Sequence, residues 1–192
     1  MTEEHEFTSV FEDNKLSIYL AGAGDEAAYR AYAVNQYGDY YNLVNPMTSK
    51  MHTKLILDDP GNEMSANKRA NLIVPDDKRL IESCNYVLAF MVRYTAGTCM
   101  EILFANSMYK PVIVIDPYGK FCKDLWIIYH ALKVVVPRLS RTEWREFQSK
   151  DNKIPDRFMM DRNEDLENLA IDDAFAIINK RESVYVKTSD ER

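Results

Sequence analysis

Thr98-Cys99-Met100-Glu101, ahead of the apolar run Ile102-Leu103-Phe104-Ala105, has a spacing that fits two uses. In one, Thr98 and Glu101 form a capping box, with each side chain bonded to the other residue's main-chain N–H. In the other, Glu101 is a nucleophilic carboxylate. A helix N-terminus favours its ionised form, and a glycine loop beside it lets a sugar approach. The two uses differ in where the side chain points.

Two small-residue loops flank this segment: Ala21-Gly22-Ala23-Gly24, and the stretch from Arg93 through Thr95 and Gly97 to Thr98. Free N–H groups at helix starts behind such loops suit an anion. Gly22 and Gly24 also read as plain turn residues. A GxG without a third glycine, and with Asn45-Pro46 where an acid should end the second strand, argues against a dinucleotide. Arg93 at a strand's carboxyl end suits a phosphate or carboxylate. Behind Pro75, Asp76 reads as an N-cap and Asp77 as a first-turn acid. His5, His52 and His130 lack HxH or HExxH spacing, and Cys84, Cys99 and Cys122 lack CxxC spacing, so neither a metal site nor a disulfide framework is expected. No Walker A loop and no GxSxG elbow is present.

The elements that must position these residues follow from apolar periodicity. Buried strands are expected at 16–21, 40–45, 85–92, 112–116 and 133–136. Helices are expected at 25–37, near 63–71, from Pro75 to about 83, at 98–109 and around 122–132. Short connections between alternating strands and helices imply a parallel sheet covered on both faces. Five strands suit a flavodoxin-like doubly wound α/β sheet of order 2-1-3-4-5, with ligands outside the carboxyl ends of strands one and three. Residues 1–14 read as a flexible acidic leader, 15–137 as the α/β domain, and 138–192 as a charged C-terminal helical extension with helices near 142–149 and 163–180. The apolar residues Leu166, Leu169, Phe175 and Ile178 of that extension suggest packing on a partner subunit.

The chain has 192 residues, 46% of them apolar, which excludes wholesale disorder. Its net charge of -6 argues against a general nucleic-acid binder. No apolar run reaches membrane-spanning length, and the leader lacks the apolar region of a signal peptide, so a cytoplasmic protein is expected.

Taken in order, the motifs resemble the nucleoside 2-deoxyribosyltransferase family, including its deoxynucleoside 5′-monophosphate N-glycosidase relatives. Ile18-Tyr19-Leu20-Ala21-Gly22-Ala23-Gly24 resembles that family's first strand and loop, and Asn42-Leu43-Val44-Asn45-Pro46 its second strand. Asp77 with Ile81 and Asn85 resembles its helix into strand three. Gly97-Thr98-Cys99-Met100-Glu101, followed by Lys110-Pro111, resembles its "G…ME…A" motif. The resemblance covers residues 16–136. It implies cleavage of the N-glycosidic bond of 2′-deoxynucleosides or their 5′-monophosphates through a covalent glycosyl-Glu intermediate, with no cofactor. The sugar passes to another base or to water. Glu101 is then the nucleophile, Tyr19 holds its carboxylate, and Asp77 contacts or protonates the base. The loops at 22–24 and 95–98 hold the sugar and any 5′-phosphate. The family's sugar-binding acid is absent near Thr95, which favours a nucleotide substrate. A neighbouring subunit's Asn falls near Asp124, which implies a homo-oligomer. The alternative is a non-catalytic nucleotide-binding or sensing module on the same fold.

Overall fold

The computed structural model describes residues 15–59, 63–137 and 162–189, the last seven as main chain only. The expected leader and the expected helix near 142–149 lie outside these residues. Five parallel strands form one sheet: β1 (Ser17–Gly22), β2 (Asn42–Val44), β3 (Tyr86–Phe90), β4 (Val112–Ile115) and β5 (Lys133–Val135). Their order is β2-β1-β3-β4-β5, the flavodoxin-like order, and chain direction across the sheet reverses between β1 and β3. All four strand pairs are parallel.

The helices are α1 (Ala27–Tyr37), α2 (Lys50–Asp58), α3 (Ala66–Ser83), α4 (Ala96–Ser107), α5 (Leu125–His130) and α6 (Glu164–Ser189). Both sheet faces are covered, so the strands are continuous apolar runs whose alternate residues enter different cores. Ile18 and Leu20 of β1 pack with Tyr29 and Ala33 of α1 and with Ala170, Ile171, Phe175 and Ile178 of α6. Tyr19 and Ala21 point the other way, towards Ile81 of α3, Ile102 and Ala105 of α4, and Ile127 of α5. This alternation puts Tyr19 on the same face as α4.

Three expectations are corrected. Residues 66–83 form a single helix where two were expected, with Pro75 inside α3. Pro75 and Asn71, whose carbonyl loses its N–H partner, are both exposed, so water can satisfy that carbonyl. Asp76 and Asp77 are therefore mid-helix residues, not an N-cap and a first-turn acid, and no helix N-terminus opens at Pro75. Residues 50–58, unassigned from sequence, form α2, capped by Ser49. The apolar face of α6 is spent on its own sheet: Leu166, Phe175 and Ile178 are buried, and Leu169 alone of the four named residues stays exposed. It is not available to a partner subunit.

Tyrosines fasten α6 in place. Tyr32 and Tyr37 donate to Asp172, Tyr41 to Asn179, Tyr86 to Glu182 and Tyr118 to Glu167. At the start of this helix Arg162 joins Glu167 to the buried Glu26 at the entry to α1, at 2.5 and 2.6 Å. The tyrosine-rich stretch from 29 to 41 thus serves mainly as the polar seam between α1, the sheet and α6.

Candidate active site

The site is built at the carboxyl ends of β1 and β3 by α4, α3, α2 and the β1–α1 loop. The first helical residue of α4 is Ala96, and its N-cap is Thr95, whose hydroxyl accepts from Thr98 N–H at 3.4 Å and donates to Thr98 Oγ1 at 2.7 Å. The helix starts three residues earlier than the capping-box reading needs. Glu101 is consequently well inside α4 and reaches no main-chain N–H of its own N-terminus. Its Oε1 accepts from Tyr19 Oη at 2.7 Å across 82 residues of sequence.

Glu101 Oε2 is shielded from solvent and has no hydrogen-bond partner. Burial pushes the Glu101 carboxyl up from the ordinary 4.5 to about 7, and the nearby Asp77 charge adds to this. Tyr19, Arg30 and the Gly22 main-chain N–H pull the other way. Burial, and then the Glu101 charge, hold the Tyr19 hydroxyl far above its usual range, so Tyr19 stays a donor. In this conformation the site is closed over the carboxylate, and access by a sugar requires surrounding side chains to shift.

Asp77 presents a second carboxylate to this pair from α3, close enough to act on the ionisation of both Tyr19 and Glu101. Its Oδ1 lies 3.3 Å from His52 Nε2 of α2, and both side chains are mostly buried. His52 carries no local signal, because the α2–α3 packing that brings it here is a tertiary event.

The glycine loop lies beside the carboxylate. Gly22 has φ +155°, and a Cβ there meets the Tyr29 ring at 3.0 Å, so both conformation and space demand glycine. Gly24 has no such need, since a Cβ meets only the flexible end of Met47 at 3.6 Å. The fully buried Arg30 donates to the carbonyls of Leu20, Gly22, Ala23 and Glu26. Tyr29 Oη donates to Ala21 O at 2.5 Å, and its ring stacks on Phe90. Sequence reading missed Arg30, which looks like an ordinary helix-surface cation.

The remaining candidates are more dispersed. Arg93 pairs with the exposed Asp25 of the β1–α1 loop. Gly97 faces open space, with no atom within 4 Å of a built Cβ. Thr98 is buried under the α4 cap. Asp76 is buried, its Oδ1 bound to Arg79 at 2.5 Å and its Oδ2 unpartnered. Asp124 is the N-cap of α5, accepting from Trp126 and Ile127 N–H at 3.0 Å and from the Tyr94 hydroxyl. Among the described residues no cluster of three or more His, Cys, Asp or Glu could hold a metal, and no helix is long and apolar enough to cross a membrane.

No protein-family model matches the sequence, and neither does any curated protein. A search of solved structures finds similar chains at low identity. A 2-deoxyribosyltransferase from Bacillus psychrosaccharolyticus is 17% identical, with a TM-score of 0.48 over 69% of this chain and 90% of that one. A conserved protein from Enterococcus faecalis V583 is 16% identical, with a TM-score of 0.46 over 71% and 99%. A CMP N-glycosidase from Clostridium botulinum is 16% identical, with a TM-score of 0.38 over 69% and 98%. These likenesses assign no residue role here. The flavodoxin-like fold rests on the sheet order itself.

Proposed function

We propose that this protein cleaves the N-glycosidic bond of 2′-deoxynucleosides or their 5′-monophosphates, with Glu101 as nucleophile. The observation that supports this reading best is the direction of the Glu101 side chain. It turns away from its own helix end, is held by Tyr19, and keeps one oxygen without a partner. A carboxylate beneath the anomeric carbon stabilises an oxocarbenium-like transition state and can then bond to it. The C1′–N bond breaks with its electron pair going to the base, while a Glu101 oxygen bonds to C1′. Asp77, oriented by His52, is the candidate acid that gives the departing base its proton. Water or a second base then attacks C1′, giving a proton to Asp77, and the C1′–O bond to Glu101 breaks, restoring the carboxylate and the acid.

The loop at Gly22 and Gly24 and the α4 start at Thr95, Gly97 and Thr98 are proposed to surround the sugar. Arg93, the exposed cation at this edge, is proposed to meet a 5′-phosphate in exchange for Asp25. Incubation with a panel of deoxynucleosides and monophosphates, with and without an acceptor base, tests the reading through release of free base. No base release from a folded sample would refute it. The closed carboxylate favours a second reading, nucleotide binding without turnover. Tight binding with no product would support that alternative.

A homo-oligomer remains part of the proposal, through a different surface from the one expected. Leu125, Trp126 and Tyr129 of α5 are each at least three-quarters exposed and line one open surface pocket, and Met100, Leu103, Ile128 and Leu132 are exposed as well. Exposed aromatic and aliphatic side chains of this kind are what a partner buries in a standard interface of roughly 800 Å² a side. A second copy is the proposed occupant, and Asp124 borders the patch.

A further inference from the structure

We infer that Arg30 is a positioning residue: its guanidinium, locked onto main-chain carbonyls at the end of β1 and in the β1–α1 loop, fixes that segment as the wall against which Glu101 is held. Its role in catalysis rests on the reading of Glu101 as nucleophile; its role in holding the loop does not. Arg30 is 2% exposed and donates four hydrogen bonds, to Leu20 O at 3.3 Å, Gly22 O at 2.7 Å, Ala23 O at 3.0 Å and Glu26 O at 3.1 Å. It forms no ion pair among the described residues. A buried cation without a carboxylate bonded to it is costly, and neutral donors or water could satisfy four carbonyls. The full charge therefore calls for a second account.

The loop itself supplies one. A carbonyl and the next residue's N–H point in opposite directions across a trans peptide, so Tyr29 on Ala21 O sets the direction of the Gly22 N–H, and Arg30 on Gly22 O holds the following peptide. Gly22 sits between these two peptides. Its carbonyl is bound by Arg30, its N–H favours the ionised Glu101, and a Cβ there would come within 3.5 Å of the Arg30 guanidinium. The Arg30 charge reaches the buried carboxylate across this single residue. The groups acting on Glu101 are then Tyr19 from β1, Asp77 from α3, and Arg30 with the Gly22 amide from the loop side. Asp77 disfavours ionisation and the others favour it.

Two variants, Arg30→Met and Arg30→Lys, test this in the free protein by NMR. The readouts are the Gly22 amide resonance and the titration of the Glu101 carboxyl carbon. In Arg30→Met the Gly22 amide should shift and the Glu101 midpoint should rise. In Arg30→Lys, which keeps the charge without the fork, the midpoint should stay nearer the parent while the Gly22 amide still moves. On a substrate that the parent turns over, kcat should fall on the order of 10²-fold in both, with KM changed much less, as expected when a reacting group is displaced by about an ångström. A folded variant with the parental Gly22 resonance and the parental Glu101 midpoint would overturn the inference. If the parent releases no base from any substrate, the glycosidase reading fails while the two NMR measurements still decide the role of Arg30 in the loop.

Discussion

Replacing Glu101 by Gln makes the cost of the buried carboxylate directly measurable. Gln keeps the shape and can still accept from Tyr19 Oη through its own Oε1, but it never ionises. The Glu101 carboxyl is raised from 4.5 to about 7 in the folded protein. Each pH unit between these values is worth about 1.4 kcal/mol, so ionising the folded protein costs about 3 kcal/mol more than ionising the unfolded chain. The folded state holds the proton more tightly. The stability this contributes is fully present below pH 4.5 and is lost as pH rises through 7. The variant lacks the loss. Its stability relative to the parent should therefore grow by about 3 kcal/mol between pH 4 and pH 8, or roughly 6–12 °C in Tm for a chain of this size. Thermal or urea unfolding of both proteins across that range reads the difference, in which other titrating groups largely cancel. A difference that stays flat with pH would show that Glu101 is solvated and would remove the physical basis of the site. Base release should be abolished in the same variant.

Tyr19→Phe removes the hydrogen bond that lowers the Glu101 value. The carboxyl should titrate higher, and the rising limb of a rate profile that needs ionised Glu101 should move to higher pH, as pH–rate measurements can show. Gly97→Ala meets no atom and replaces a helical glycine, so it should stabilise the fold by about 0.5–1 kcal/mol, seen as a higher Tm. If the open space there receives the sugar, KM should rise in the same variant. Asp124→Ala deletes the α5 cap and should cost about 1 kcal/mol in urea unfolding. Trp126→Glu places a charge on the exposed apolar patch and should shift light-scattering mass towards the monomer if a second copy docks there.

Sequence periodicity determined the sheet. The five apolar runs, each bounded by glycine, proline or polar residues, became the five strands, and the short crossovers fixed them as parallel with helices on both faces. Sequence also placed Tyr19, Asp77 and Glu101 on the elements that carry them, because each sits within a motif of local spacing. Tertiary structure decided what those side chains do. Thr95 and Thr98 both offer a cap three residues ahead of a partner, and only the path of the β3–α4 loop selected Thr95, freeing Glu101 for Tyr19. Pro75 stayed inside α3 because that part of the helix is exposed. His52, Arg30 and the α6 contacts of the tyrosines join elements separated by many residues. The periods of 2 and 3.6 say which face of an element is buried. Which residue of another element meets that face depends on how the helices cross the sheet, and no local spacing records it.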